Sequence, residues 1–208
     1  DNAAKSSELE TYLVEKQIEV LPLLISKQKI ANQPSLLFGI RVSQTYRANW
    51  KFLDAVPNAW DLVASGSGVL VNEQLAKRAG LKVGDYVTIE QDFSLLVTAI
   101  VGDYGNPKGQ VVVSEHVIKK LKPDIYATQF GVRSSDVTSL RQQITTDLDI
   151  PSNSMINQAE IKDVSMEVFE RTFAVTNALN ILTLSIAGFA LLMSLLTLSD
   201  IRIPQLAP

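Results

Sequence analysis

The strongest hydrophobic pattern in the chain is an uncharged run from Thr172 to Ser199. As an α-helix this run would extend roughly 42 Å, whereas about 20 apolar residues are enough to cross the hydrocarbon core of a bilayer. Its polar side chains form a thin, uncharged stripe: Asn177, Asn180, Thr183 and Ser185. The alternative is a buried core helix of a soluble protein, but such helices are usually shorter and carry a polar face. The pattern therefore predicts a transmembrane helix over residues 172–199.

The same helix is expected to begin before the uncharged run. Asn157 stands three residues before Glu160, the spacing of a helix N-cap and the acidic residue that completes a capping box. Steps of three and four residues then keep one face in phase: Ile161, Val164, Val168, Thr172, Val175, Leu179, Leu182, Ile186, Phe189, Met193 and Leu196. Charges end at Arg171. We therefore expect one unbroken helix of about 40 residues, with residues 158–171 as a soluble stalk.

Small and polar residues in the membrane part predict where this helix meets its neighbours. Transmembrane helices associate through close backbone approach and interhelical hydrogen bonds, which favour small or hydrogen-bonding side chains. The predicted packing residues are Asn177, Asn180, Thr183, Ala187 and Gly188. The regular stripe of larger apolar residues also suits helix-on-helix association. We expect the isolated helix to be covered by detergent or by another copy of the chain.

Upstream of residue 157, short apolar runs alternate with turn residues and predict an α+β domain. Ser7 and Glu10 have capping-box spacing for a short helix that ends near Lys16. Strands are predicted over residues 18–30, 36–42, 69–71, 86–89, 93–101, 111–113 and 125–132, with turns at 32–35 and 103–109. Helices are predicted over residues 73–79, 115–121 and 135–148, with caps at Asn72, Gly80 and Ser114. Pro22 is expected to put the first strand at a sheet edge or to split it.

Aromatic residues concentrate between residues 46 and 60. Trp50 and Phe52 alternate across Lys51 and are expected to share one face of a strand, with Tyr46 and Trp60 nearby. Core packing is the ordinary explanation for such a group. The alternative is that Trp50, Phe52 and Trp60 form a surface that binds a partner protein.

Composition excludes several classes of function. The net charge of −3 and the pI near 5.2 argue against nucleic acid as a partner. The sequence has no cysteine and one histidine, His116, in the first turn of a predicted helix, so no catalytic triad or metal motif can be assembled. The Ser65–Gly68 stretch precedes a strand, which disagrees with a phosphate loop. We predict no catalytic, cofactor-binding or metal-binding residues.

Three motifs occur in the order expected for one known family. Residues 68–89, GVLVNEQLAKRAGLKVGDYVTI, resemble its pattern vLVsexLAkrLGlkvGDxvtl. Residues 101–109, VGDYGNPKG, are similar to its variable vvgvy.dyg.p.G link, and residues 169–174, FERTFA, resemble FdRTFaiT at the entry to its second membrane helix. Over about residues 18–203 the chain thus resembles the FtsX-like ABC permeases, whose extracytoplasmic part is the MacB-like periplasmic core domain.

The resemblance implies a two-lobed extracytoplasmic domain followed by a long stalk and transmembrane helix. The implied parts are a stalk helix from a preceding membrane span at 1–17, a porter-like lobe at 18–35 and 122–157, an inserted sabre-like lobe at 36–121, the stalk at 158–171, the membrane helix at 172–199 and the start of a cytoplasmic segment at 200–208. The chain begins at Asp1 without a methionine and stops shortly after an apolar helix, so we expect a piece of a larger, multi-pass protein of the inner membrane.

The resemblance also implies function and partners. An ATPase on a separate subunit or domain would drive helix movements, and the periplasmic lobe would handle or release a lipid, lipoprotein, peptide or drug. The implied partners are this ATPase, a second permease copy or paralogue, membrane lipid and a periplasmic protein. After the membrane helix the family often shows ERRREIGxLRAxG, whereas this chain has Gln205 near the expected acid, so no ATPase-contacting residue is assigned. The alternative is a membrane-anchored sensor or scaffold that activates a partner without transport.

Overall fold

The computed structural model describes residues 2–103 and 107–202, and the side chains among them except those of 159, 162–165 and 198–202. The chain divides into two compact units, residues 1–136 and 137–208. The first unit contains α1 Asn2–Glu15, β1 Glu19–Ile30, β2 Gln33–Ile40, α2 Gln44–Asn49, β3 Phe52–Ala55, α3 Ala59–Ala64, β4 Gly68–Asn72, α4 Glu73–Ala79, β5 Tyr86–Glu90, β6 Phe93–Val101, β7 Gly109–Ser114, α5 Glu115–Leu121 and β8 Gln129–Arg133. The second contains α6 Val137–Leu148, a 3-10 turn Ser152–Ser154 and α7 Gln158–Arg202.

One mixed sheet holds the first unit together, and the predicted α+β class is confirmed. The strand order is β3-β6-β4-β7-β2-β1-β8, and β5 pairs with β6. Most neighbours are antiparallel, but β2 pairs with β7 and β4 pairs with β6 in parallel. The strands β2 and β7 therefore end at the same edge of the sheet, where Ile40 lies opposite Ser114.

The core lies on both faces of this sheet because its central strands alternate their side chains. In β4, Val69 and Val71 belong to one buried cluster and Leu70 to the other. Every residue of β4 is buried, which explains its continuous apolar sequence. Leu75 and Ile118 cover the first face from α4 and α5. The second face is covered mainly by Trp60 and Val63 from α3 and by residues around them.

The hairpin between β1 and β2 differs from the predicted turn at residues 32–35. The turn is formed by Ala31 and Asn32, both with positive φ angles of 48° and 60°, as in the two-residue hairpins that match strand twist. Pro34 lies inside β2 and pairs with Lys29. Pro22 does not split β1 or place it at the edge of the sheet. At Pro22 the strand pairs with Phe130 of β8, and the pairing with β2 begins only at Leu23.

Local capping predictions have mixed outcomes. The Asn72 side chain accepts a hydrogen bond from the Leu75 amide at 3.1 Å, and Gly80 ends α4 with φ 66°, so both caps are confirmed. The prediction that Ser7 begins the first helix is wrong, because α1 already runs from Asn2. Ser114 precedes α5 but makes no side-chain capping bond. Two elements start later than predicted, β8 at Gln129 and α6 at Val137.

The long helix of the second unit is confirmed. α7 runs for 45 residues without a break, as expected from the absence of glycine and proline between Asn157 and Ala187. Its first turn contains Glu160, whose carboxylate accepts a hydrogen bond from the Asn157 amide at 3.2 Å. Two other expectations lie partly outside the described residues, the turn at 103–109 at residues 104–106 and the cytoplasmic segment at residues 203–208.

The strands of the two expected lobes share one sheet. The expected boundary between residues 35 and 36 falls inside β2. Within the sheet, β1 and β8 come from the stretches assigned to the porter-like lobe, while β3 to β7 come from the inserted lobe. The expected second porter segment, residues 122–157, contributes β8 to one compact unit and α6 to the other. The division into functional lobes stays a prediction.

Candidate functional site

Most of the surface of α7 beyond Arg171 is apolar and exposed. Within residues 2–103 and 107–202, Met166–Thr197 is the one helical stretch long and apolar enough to cross a membrane, and none of it is buried. Leu184, for example, is 72% exposed. Soluble monomers rarely expose apolar patches beyond a few hundred Å². In water this surface would be unstable, so by length and composition α7 suits a bilayer.

Five hydroxyl groups of α7 are satisfied within the helix itself. Each of five side chains donates to the carbonyl four residues earlier, at 2.7 to 3.0 Å: Thr172, Thr176, Thr183, Ser185 and Thr197. Such bonds remove the need for water around a hydroxyl. Because hydrocarbon offers no hydrogen-bond partners, a polar group in a membrane helix must be satisfied in this way or by another helix.

Small and polar residues form a continuous seam along α7, of which the predicted packing residues are only a part. Its members recur at alternating steps of four and three residues: Thr176, Asn180, Thr183, Ala187, Ala190, Ser194 and Thr197. This is the spacing of the contact face of a left-handed helix pair. Three of the predicted packing residues lie on this seam. The other two, Asn177 and Gly188, each follow a seam residue and are turned by roughly 100° around the helix.

The asparagine amides of α7 differ from these hydroxyl groups in their hydrogen bonding. Among the residues that the structure describes, the side chains of Asn177 and Asn180 have no hydrogen-bond partner. Asn180 lies on the small-residue seam, with Thr176 one turn before it and Thr183 one turn after it. The predicted large apolar stripe, which includes Leu179 and Leu182, lies one residue before each seam position. The helix therefore presents a narrow polar seam beside a broad apolar surface.

The aromatic residues predicted as core or partner surface pack on one another. Trp60 is 8% exposed, and its ring centroid lies 5.5 Å from that of Phe52, 5.8 Å from Trp50 and 6.3 Å from Tyr46. Burial raises the pKa of the Tyr46 hydroxyl. Trp50 ends α2 rather than lying in a strand, and β3 begins at Phe52, so the expected shared strand face is wrong.

These rings serve the core of the sheet. Tyr46, Trp50 and Phe52 are half-buried and pack against the cluster that contains Trp60, Val63 and Leu70. Stacked and tilted rings at these distances stabilise a fold by about 0.5–1.5 kcal/mol per pair beyond their buried area. The geometry supports the core interpretation, and a partner-binding role for Trp50, Phe52 and Trp60 stays a prediction.

An ion network lies at the common end of β2 and β7. Arg41 directly follows β2, and its Nε and Nη2 donate to the two carboxylate oxygens of Glu115 in α5 at 2.9 and 3.1 Å. Its Nη2 also donates to Glu10 of α1 at 2.6 Å. Lys119 donates to Glu115 at 2.6 Å. Partial burial lowers the pKa of the Arg41 guanidinium, but the hydrogen bond to Glu10 and the charges of both carboxylates outweigh it and raise the pKa.

A shallow cleft of about 360 Å³ opens beside this network. It is lined by Ile40, Arg41, Val42, Ala64, Ser114, Glu115, His116 and Lys119. The His116 Nε2 lies 3.4 Å from the Ser114 hydroxyl, and no acidic group is paired with this histidine among the residues described. The cleft therefore contains an ion network whose charges are already paired, and no arrangement of nucleophile, base and orienting acid is evident in it.

Three carboxylates at turns or near element ends have structural partners. Asp61 pairs with Arg47 at 2.8 Å, Asp85 accepts the Lys82 amide at 2.7 Å, and Asp103 accepts from the Asn72 side chain at 3.2 Å. No group of three or more acidic or histidine side chains that could hold a metal ion occurs in the described part of the chain. The expectation that ATP hydrolysis belongs to a separate subunit or domain stays a prediction.

Comparison with known proteins agrees with the fold that the sequence motifs imply. No family model and no curated protein matches the sequence. Among solved structures, the periplasmic region of MacB from Actinobacillus actinomycetemcomitans matches with a TM-score of 0.50 and 18% identity, covering 71% of this chain and 78% of that one. The extracellular domain of the noncanonic ABC-type transporter YknZ from Gram-positive bacteria matches with a TM-score of 0.47 and 12% identity, covering 62% and 68%. The resemblance to the MacB-like periplasmic core domain is thus confirmed at the level of the fold.

Proposed function

We propose that this chain is the extracytoplasmic domain of an ABC transporter permease, together with the stalk and membrane helix that follow it. The observation that carries the proposal is the combination of a fold shared with the periplasmic region of MacB and a wholly exposed apolar helix in the same chain. A sheet domain of this kind has no need of α7 for its own core, since two buried clusters already cover both faces of the sheet. The apolar surface of α7 is accounted for by lipid and by other membrane helices.

In the proposed mechanism, ATP-driven movement of membrane helices reaches the extracytoplasmic domain through helical stalks. α7 is suited to this role because an α-helix of 45 residues, roughly 67 Å long, moves as a rod when no proline or glycine kinks it. The first glycine of α7 is Gly188, deep in the membrane part. α1 is the second stalk, continuing a membrane span that precedes it. The domain then handles or releases a lipid, lipoprotein, peptide or drug.

The small-residue seam is the surface through which the membrane part of α7 would contact another helix. Close helix approach needs small side chains, and an amide without a partner in hydrocarbon is stabilised by a hydrogen bond from a neighbouring helix. We assign the seam through Asn180, Thr183 and Ala187 to contact with another membrane helix of the permease, of a second copy or of a paralogue. The broad stripe with Leu179 and Leu182 then faces lipid. The ATPase partner is assigned to the cytoplasmic side, without naming residues.

Topology can be tested directly because the sequence has no cysteine. Two single-cysteine variants of the full chain, Lys120→Cys in α5 and Arg202→Cys at the end of α7, are expressed in bacterial cells and treated with a membrane-impermeant maleimide. Lys120→Cys should be labelled from outside the inner membrane, and Arg202→Cys only after the membrane is permeabilised. Equal labelling of both sites in intact cells would contradict the proposed membrane crossing.

A matched pair of charge substitutions tests the helix itself. Leu184→Arg in α7 should reduce membrane insertion, since an arginine near the centre of a membrane helix costs about 2.5–3.5 kcal/mol. Leu53→Arg on β3 replaces another exposed leucine, outside the helix, and should leave insertion unchanged. Copurification with an ABC ATPase encoded beside the gene would support transport. Activation of a hydrolase or kinase by the extracytoplasmic domain, without such an ATPase, would favour the alternative of a membrane-anchored sensor.

A further inference from the structure

We propose that Arg41 is the residue through which movement of α1 reaches the sheet. This positioning role rests on the proposed function, in which α1 is one of two stalks. The side chain joins three elements: it follows β2, it binds Glu10 of α1 at 2.6 Å and it binds Glu115 of α5 at 2.9 and 3.1 Å. In the described part of the chain, this is the one ion pair that links α1 to another element of the first unit.

The contacts of α1 lie on one face of the helix. Ser6 donates to the Ala127 carbonyl at 2.8 Å, Glu10 accepts from Arg41, and Leu13 is fully buried. Residues four and seven positions apart share a face, so these three contacts form a single line along the helix axis. Glu10 lies in the middle of that line. An axial shift or a rotation of α1 must therefore displace the Glu10 carboxylate relative to the guanidinium.

The other side of Arg41 is fixed to the centre of the sheet. β2 lies between β1 and β7, and Arg41 immediately follows its last residue, Ile40. Glu115 is the first residue of α5, and Ile118 of the same helix is fully buried in the core. A force on the guanidinium thus acts at once on the end of a central strand and on the first turn of a helix packed against the sheet.

The geometry requires arginine rather than positive charge alone. Two nitrogens of one planar guanidinium bind both oxygens of Glu115, and one of them also binds Glu10. A lysine ammonium is a compact charge on a flexible stem and cannot keep this fixed fork. Arg47 provides a natural comparison, because it makes a single contact of 2.8 Å with Asp61 in the same unit.

Amide hydrogen exchange of the full chain in detergent micelles tests the assignment. The variants are Arg41→Lys, Glu10→Gln and the double variant, with Arg47→Lys as the matched control. Arg41→Lys and Glu10→Gln should each raise exchange along α1 by about fivefold, the scale expected for loss of a charge-assisted hydrogen bond in a locally opening helix. Both should also raise exchange in the first turn of α5. Arg47→Lys should change neither region.

The double variant distinguishes two roles of Arg41: transmitting movement of α1 to α5, or only stabilising each helix separately. If Arg41 connects the two helices, Glu10→Gln should have no further effect on α5 once Arg41 is lysine, because contacts that act through one group are not additive. Additive effects at α5, or unchanged exchange along α1 in both single variants, would overturn the proposal. The result is independent of membrane crossing: failure of the cysteine-labelling test would reject the proposed function and leave the exchange pattern intact. Thermal unfolding of each variant checks that exchange is compared in folded chains.

Discussion

The sheet unit and α7 place the same side chains in opposite surroundings. Leu70 in β4 is 0% exposed, whereas Leu184 in α7 is 72% exposed. Both lie in apolar stretches, but β4 is five residues long, whereas the uncharged run of α7 extends from Thr172 to Ser199. The first unit forms its own apolar core from neighbouring strands and helices. In the proposed function, α7 takes its apolar surroundings from lipid and from other membrane helices.

Two asparagines show the same difference for polar groups. Asn72 is fully buried and its amide is satisfied on every side: its Oδ1 accepts from Leu75 and Gln110, and its Nδ2 donates to Asp103 and Lys108. Asn180 has no hydrogen-bond partner in the described part of the chain. The first amide organises a fold that is complete within the unit. The second is suited to a partner from another helix, since hydrocarbon supplies none.

The largest expected effect separates the two leucines. Leu70→Ala should lower the free energy of unfolding of the sheet unit by about 3 kcal/mol, because a buried leucine leaves a cavity when it is truncated. Leu184→Ala should leave that transition unchanged. The measurement is thermal or urea unfolding of the full chain in detergent, followed by the fluorescence of Trp50 and Trp60, which both belong to the cluster around Leu70. Equal destabilisation by the two substitutions would show that α7 belongs to the same apolar core.

Removal of the buried amide should have the next largest effect. Asn72→Ala leaves the Leu75 and Gln110 amides without their acceptor, and should cost about 2 kcal/mol of stability. Asn49→Ala is the matched control, because the exposed Asn49 side chain makes one hydrogen bond, to the Thr45 carbonyl. The same unfolding measurement applies. A loss no greater than that of Asn49→Ala would mean that the cap does not anchor the strand.

The sequence predicts best where the signals are local. From Gly68 to Gly80 the strand, the Asn72 cap, the helix and its glycine end all follow from neighbouring residues, and all were confirmed. Predictions were wrong where tertiary pairing decides. Pro34 reads as a turn residue, but its place opposite Lys29 is set by a turn two residues earlier, at positions where Ala31 and Asn32 take positive φ. Ser7 has the spacing of a cap, yet the preceding residues are already helical.

The candidate sites show the same contrast between local sequence signals and tertiary pairing. The uncharged run over residues 172–199 was enough to predict a long helix, because length and composition are local properties. The small-residue seam was also present in the sequence, as a four-and-three repeat from Thr176 to Thr197 beside the stripe of larger apolar residues. The Arg41 network could not be predicted. Its members are far apart in the chain: Arg41 and Glu115 meet through the parallel pairing of β2 with β7, and Glu10 reaches them from α1.

A smaller effect is expected for the seam. Asn180→Leu should weaken association of α7 with another copy in detergent or bilayers by about 1 kcal/mol, the scale of a hydrogen bond between membrane helices. Asn177→Leu is the control, since Asn177 follows the seam residue Thr176 and is turned roughly 100° away from it. Förster transfer between labelled chains measures the association. If Asn180→Leu and Asn177→Leu weaken the association equally, the contact face of the helix pair is not centred on the seam. If neither substitution weakens it, the two amides make no contact with another copy of α7.

The smallest expected effect is the pH dependence of the Arg41 network. Burial raises the pKa of the Glu115 carboxyl, but the hydrogen bond from Lys119 and the charge of Arg41 outweigh it, so the pKa lies below its ordinary value in the folded chain. The folded chain then binds fewer protons at this site than the unfolded chain. Glu115 therefore stabilises the fold above its unfolded pKa, and this contribution is lost as the pH falls through the lowered folded value.

Glu115→Gln removes the titrating group and keeps the shape of the side chain. The difference in unfolding free energy between the parent chain and this variant should be positive near neutral pH, below about 1 kcal/mol as for partly exposed ion pairs, and should shrink as the pH falls below about 4. Glu10, Arg41, Lys119 and His116 lie around the carboxyl, so parallel measurements with Glu10→Gln separate the second acid from the first. A difference that grows on acidification would mean that the carboxyl is protonated more readily in the folded chain, the reverse of the direction set by Lys119 and Arg41.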